Sequence, residues 1–208
     1  MKKKNCILVL ILLFLTGCSS NGENNKKEDL SLNSNESLNV NKQEQNEFIE
    51  NGFKIGDYIY IDDGAKNDVY FEKILEQKES LKDNFDKVLN KIDNTKRINL
   101  LPYSAFYYED LEQYEINLFL VNTSEINIEN GNFIGVTNMN DEFMKLQGGL
   151  TNFEDINKML KPNEFELISY RFPVSKDKKI VLEGIKIESI NFVVQDLIIN
   201  GESVSNEN

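Results

Sequence analysis

The pattern of apolar and polar positions divides the chain into segments of three kinds. Ile7 to Leu15 is an unbroken apolar run of nine residues preceded by Lys2, Lys3 and Lys4. Ser19 to Glu47 is polar throughout, with Leu30, Leu32, Leu38 and Val40 as its only sizeable apolar residues. From Phe48 onward the chain alternates with recognisable periods. Phe53 to Ile61 alternates apolar with polar or glycine residues over much of its length and reads as a half-buried strand, closed by a turn at Asp62-Asp63-Gly64. In Tyr70 to Ile92 the apolar positions Ile74, Leu81, Phe85, Val88 and Ile92 recur at helical spacing, with Glu and Lys between them. That stripe predicts one amphipathic helix packed on the protein's own sheet. A coiled-coil seam would not carry Lys78 within it.

Beyond Lys96 the period becomes two. Ile98 to Tyr108 reads as a strand bent at Pro102. In Tyr114 to Val121, Tyr114, Ile116, Leu118 and Leu120 alternate with Glu115, Asn117, Phe119 and Val121. Parts of both faces of this second strand are apolar, which suits a central strand. Asn132 to Thr137 and Glu142 to Gln147 flank a polar connection at 138–141, and Gly148-Gly149 interrupts the ladder. Residues 152–160 carry Phe153, Ile156, Met159 and Leu160 at helical spacing ahead of Pro162, predicting a short helical crossover. Strands are expected at Glu164 to Phe172, Lys179 to Ile187 and Ile190 to Ile199, followed by a frayed polar tail over 200–208. Short strands at this spacing predict a mainly β fold, an antiparallel Ig-like β-sandwich with one helix at about 70–92 and a crossover at about 152–160.

Composition fixes the expected compartment. A basic start, an apolar run too short to span a bilayer and small residues after it have the order of a secretory signal. Leu15-Thr16-Gly17-Cys18 resembles the lipobox of bacterial lipoproteins. That resemblance implies cleavage after residue 17 and a diacylglyceryl group on Cys18, whose acyl chains hold the protein at the outer face of the cell membrane. The same cleavage removes Cys6, leaving no second cysteine for a disulfide. Residues 18–47 then form a lipidated, disordered tether reaching into the cell wall, because so polar a stretch buries too little surface to fold. Residues 48–96 supply a strand and helix that pack on a sandwich at 97–199.

Charge and missing residue types narrow the function. The chain holds 23 Lys plus Arg against 35 Asp plus Glu, a net charge of -12, and removal of residues 1–17 takes three lysines and no acid, giving -15. No clustered basic face suits nucleic acid; Lys176, Lys178 and Lys179 read as a solvated turn. The chain has no histidine and no free thiol after processing, so Ser-His, Cys-His and His- or Cys-based zinc chemistry lack their parts. The acidic turn at Asp62-Asp63-Gly64 does not match an EF-hand spacing, and no metal or other cofactor is expected.

Three segments, Ile98-Asn99-Leu100-Leu101-Pro102-Tyr103-Ser104-Ala105, Phe119 to Asn130 and Leu160-Lys161-Pro162-Asn163-Glu164-Phe165, resemble the SLAP domain of Gram-positive surface proteins. The likeness covers about 75 residues, from Arg97 to Pro173. It implies a small β-rich module without catalytic residues, associated with secretion or an S-layer. The family's strand after the proline loop often begins Pro-Trp, whereas here it reads Leu167-Ile168-Ser169-Tyr170-Arg171-Phe172. The function expected is a non-catalytic surface lipoprotein that binds an envelope component or another exported protein. Tyr107, Tyr108, Glu109, Asp110 and Tyr114 are its candidate contacts, being aromatics and acids clustered beside a loop. The alternative is a hydrolase of wall polymers using two carboxylates about 5 to 9 Å apart.

Overall fold

The computed structural model describes residues 33–139, 147–156 and 159–207. The signal segment, Cys18 and the expected strand at 142–147 lie wholly or mainly outside them. The chain divides into Met1–Asn41 and Lys42–Asn208, and the contacts below belong to the second unit. Helix α1 (Asn33–Asn51) occupies much of what reads as a disordered tether. Its later residues dock through polar contacts, which a count of apolar residues does not register. Gln45 is 4 % exposed, its amide donating to the Ala65 carbonyl at 2.7 Å and to Asp68 Oδ1 at 3.1 Å, while Lys42 pairs with Asp68 at 2.5 Å. Phe48 then enters an aromatic group with Phe53, Tyr60 and Phe71.

The expected single strand over 53–61 is a hairpin of β1 (Phe53–Ile55) and β2 (Tyr58–Tyr60). Gly56 at φ +61 is the first central residue of its two-residue turn, a position where glycine is favoured. A turn of 3-10 helix at Asp63–Lys66 leads to α2 (Asp68–Val88), which Asn67 caps by accepting from the Tyr70 N–H at 3.1 Å. The helix buries Phe71, Ile74, Leu81, Phe85 and Val88, close to the stripe read from sequence. It tightens to 3-10 geometry at Leu89–Lys91 before Ile92 turns extended.

The remaining elements are β3 (Ile98–Tyr108), β4 (Gln113–Asn122), β5 (Gly131–Met139), β6 (Gln147–Asn152), α3 (Phe153–Ile156), β7 (Glu164–Pro173), α4 (Lys179–Glu183), β8 (Ile190–Ile199) and β9 (Glu202–Ser203). They complete a mainly β fold with two sheets, ordered β1-β2-β7-β4-β3 and β6-β5-β8-β9. The pairing is antiparallel except between β2 and β7, which run parallel through Ile59↔Glu164 and Tyr60↔Phe165, so the expectation of a purely antiparallel fold is corrected there.

Two cores flank the five-stranded sheet. Tyr114, Ile116, Leu118 and Leu120 of β4 join Phe133, Ile190, Phe192, Leu197 and Ile199 of the second sheet in one core. Phe119 and Val121, on the other face of β4, join Phe165, Leu101 and the apolar stripe of α2 in the second. Here Phe85 stacks on Phe165 at 4.0 Å and meets Phe119 edge-on at 5.1 Å. Burial on both faces explains why β4 is apolar on both.

Two further expectations are corrected. Lys179 to Ile187 is not a strand: α4 lies there, burying Leu182 (1 % exposed) and leaving Ile180 and Val181 at 84 % and 51 %. Its short unbroken apolar run carries no decisive period. Gly148-Gly149 lies within β6 and does interrupt its ladder, the register with β5 shifting between Val136↔Gln147 and Ile134↔Leu150. The tail is not frayed, since β9 pairs with β8 and the Asn206 side chain acts as a substitute backbone for the first residue of β3. It accepts from Ile98 N–H at 3.0 Å and donates to Ile98 O at 3.2 Å, satisfying exposed edge groups.

Candidate binding face

The helix-side face of the five-stranded sheet changes character halfway along. Register places Val121, Phe119, Asn117, Glu115 and Gln113 in one row on β4, opposite Phe165, Leu167, Ser169, Arg171 and Pro173 on β7. The α2 core covers the first, apolar part. Past it, a β-bulge between Pro102 and Ser104 resets β3 so that Ser104, Phe106 and Tyr108 oppose Asn117, Glu115 and Gln113 on this same face. Among the described residues no apolar core covers this second half: Phe106 is 48 % exposed, and Ser169 and Arg171 also face solvent.

The polar side chains of the open half hold one another. Asn117 donates to Ser104 Oγ at 3.0 Å and accepts from Ser169 Oγ at 2.5 Å. Arg171 pairs through Nε with Glu115, which is only 5 % exposed, and the Tyr108 hydroxyl donates to the same carboxylate at 3.3 Å. The guanidinium lies over the Tyr108 ring, 5.9 Å from its centroid. Burial first, and then the Glu115 charge, raise the Tyr108 hydroxyl above its ordinary range, keeping it a neutral donor. The result is a fixed polar lattice with one exposed aromatic, Phe106, beside it.

The structure separates the candidate contacts proposed from sequence. Tyr108 belongs to the open face. Tyr107 points to the opposite side, cross-strand from Tyr114, and donates to the Val174 carbonyl at 3.0 Å. Tyr114 is 2 % exposed in the core between the sheets and offers no contact surface, a correction that follows from the inward parity of β4. Glu109 and Asp110 lie in the exposed turn Glu109–Leu111, where Glu109 pairs with Lys179 at 2.6 Å. Hydrogen bonding to Lys179 holds the Glu109 carboxyl below its ordinary value. Cys18 lies outside the described residues. Sequence reasoning missed Arg171, Ser169 and Phe106, although the change along one β4 face from Val121 and Phe119 to Asn117 and Glu115 marked where the cover ends.

A second group of acids sits where β2 leaves the sheet. Asp62 accepts from the Tyr60 and Tyr70 hydroxyls at 2.8 and 3.2 Å and from Gly64 N–H at 2.8 Å. Glu166 on β7 is 4 % exposed. Burial is the main cause pushing Glu166 well above the ordinary carboxyl range, and Asp62, Asp63 and Glu164 add to it. Burial likewise raises Asp62, against the hydrogen bonds it accepts. Among the described residues no group of three or more acids or cysteines is placed to hold a metal ion.

A cleft of about 270 Å³ opens elsewhere, between the end of α2, the bulge of β3 and the turn at Ile187–Ser189, and neither Asp62 nor Glu166 lines it. Among the described residues no helix is long and apolar enough to cross a membrane. No protein-family model, curated protein or solved structure matches this chain.

Proposed function

We propose that this protein is a non-catalytic cell-surface lipoprotein, anchored through Cys18, whose β domain binds an envelope component or another exported protein on the open half of the five-stranded sheet. The observation that carries the binding role is the uncovered face, where Phe106 stands exposed beside the Arg171–Glu115–Tyr108 lattice. The anchor rests on the basic start, the apolar run and Leu15-Thr16-Gly17-Cys18. An Ig-like sandwich is the finer reading of the fold, supported by two sheets that share one core. Association with secretion or an S-layer is what the SLAP likeness adds. A photo-cross-linker at position 106 on living cells should capture a discrete partner, and Arg171→Ala should reduce that capture. Diffuse labelling unaffected by Arg171→Ala rejects the face. Unchanged membrane retention and cleavage in Cys18→Ser rejects the anchor.

A wall-polymer hydrolase with paired carboxylates is the second reading, favoured by the burial and raised pKa values of Glu166 and Asp62. It ranks lower because three donors already occupy Asp62 and the cleft lies elsewhere.

A further inference from the structure

We infer that the cleft at the end of α2 is a binding site for a small amphipathic carboxylate, one anionic head on a short apolar body. Its lining is largely apolar, with Val88, Pro102, Tyr103 and Ile187 among its residues. Its charged lining residues are Lys87, Lys91 and Glu188, a formal local charge of +1 in a chain of net charge -12. Both ammoniums rest on neutral oxygens: Lys87 donates to Asn84 Oδ1 at 3.2 Å and Lys91 to the Glu188 backbone carbonyl at 3.3 Å. Neither has a carboxylate within ion-pair distance among the described residues, unlike Lys42, Lys66, Lys96, Lys161 and Lys179.

The negative end of the helix dipole, about half a charge, lies near these lysines and offsets only part of their charge. Positive charge beside an apolar lining selects an anion with a hydrophobic body. It disfavours a bare anion, which gains nothing from the apolar lining, and an amphipathic cation, which meets like charge. The volume, near the lower end of ligand sites, limits the body to roughly the size of a medium-chain acid. The site is separate from the open sheet face, and its test does not depend on that face having a partner.

The experiment titrates the full-length chain with octanoate, octylamine, octyl glucoside and acetate, following methyl resonances of Val88 and Ile187. Octanoate should saturate these shifts, with octylamine and acetate at least tenfold weaker and octyl glucoside between them. Lys87→Gln and Lys91→Gln should each weaken octanoate by about three- to fivefold, the scale of one exposed ion pair, and leave octyl glucoside unchanged. Equal binding of octanoate and octylamine, octanoate affinity unaltered in both lysine variants, or no saturable shift overturns the inference. Loss of octyl glucoside binding along with octanoate in those variants would show a structural role for the lysines and overturn it as well.

Discussion

Replacing Glu166 by Gln should stabilise the protein at neutral pH, because the native residue is a carboxyl held where ionisation is unfavourable. Glu166 is 4 % exposed, and burial, reinforced by Asp62, Asp63 and Glu164, raises its pKa well above 4.5. A folded state that holds a proton more tightly than the unfolded chain is favoured in full below the unfolded value. That contribution is lost as pH climbs from about 4.5 toward the folded value. At pH 7 the penalty has a ceiling that does not depend on the folded value, since the carboxyl can always take up a proton instead of ionising. The 2.5 pH units between 4.5 and 7, at 1.36 kcal/mol each, set it at about 3 kcal/mol. Gln has the shape of the protonated acid and does not titrate. Urea unfolding of both proteins from pH 4 to pH 8 should show midpoints that converge at pH 4 and separate with rising pH, by roughly 1 to 2 M at pH 7 for an ordinary urea slope. Other carboxylates titrate in both proteins and cancel in the difference. Parallel profiles, or a variant less stable than the parent at pH 7, would refute the placement of a buried, proton-holding Glu166.

Three other substitutions test the packing and polar frame by chemical denaturation. Phe85→Ala removes a ring that is 0 % exposed and touches Phe165, Phe119 and Tyr58, and should cost about 3 to 5 kcal/mol; a loss under 1 kcal/mol would mean the helix is loosely docked. Asn122→Ala strips a fully buried amide that donates to the Ile126 and Leu160 carbonyls and accepts from Ser124, and should cost about 2 to 4 kcal/mol by stranding those groups. Arg171→Met leaves Glu115 buried with the Tyr108 hydroxyl as its sole partner among the described residues and should cost about 1 to 3 kcal/mol. Adding Glu115→Gln should restore most of that, because removing one partner of a buried pair is worse than neutralising both.

The parts legible in sequence are those whose burial has a single period. The stripe from Ile74 to Val88 reads as a helix because one face alone meets the sheet, and β8 and the end of β7 read as strands because their inward positions alternate, whereas β4 and the start of β3 read as central strands because both faces are buried. The misreadings have two causes, a local turn or short run that leaves the pattern undecided and a deciding contact that lies far along the chain. Phe53 to Ile61 keeps its alternation through Gly56-Asp57, so the hairpin depends on a turn rather than on a break in pattern. Helix α1 docks by amide and ammonium bonds to Ala65 and Asp68, and the tail is held by Asn206 on Ile98; none of these partners is local. The open face was legible only as a change of polarity along β4. Its completion by Arg171 and Phe106 needed the register of two neighbouring strands.

That register also decides between the two places where a partner could meet the aromatic and acidic residues following Ala105. The turn at Glu109–Leu111 presents an exposed ion pair, Glu109 with Lys179, whose side chains hold their geometry weakly and must be ordered on binding. On the sheet face, Asn117, Ser104, Ser169, Glu115 and Tyr108 are already fixed by mutual hydrogen bonds, so a ligand meets groups whose conformational freedom is spent before it arrives. Stability does not require Phe106 to be aromatic, since 48 % of the residue stays in water and its cross-strand neighbour is Glu115. A large apolar ring kept in solvent beside an ordered polar lattice contributes more to recognition than to folding. Phe106→Ser should therefore leave the unfolding midpoint within about 0.5 kcal/mol of the parent while abolishing capture of the partner by a photo-cross-linker placed at position 104 instead. A destabilisation as large as that of Phe85→Ala would place Phe106 in the fold and not in the interface.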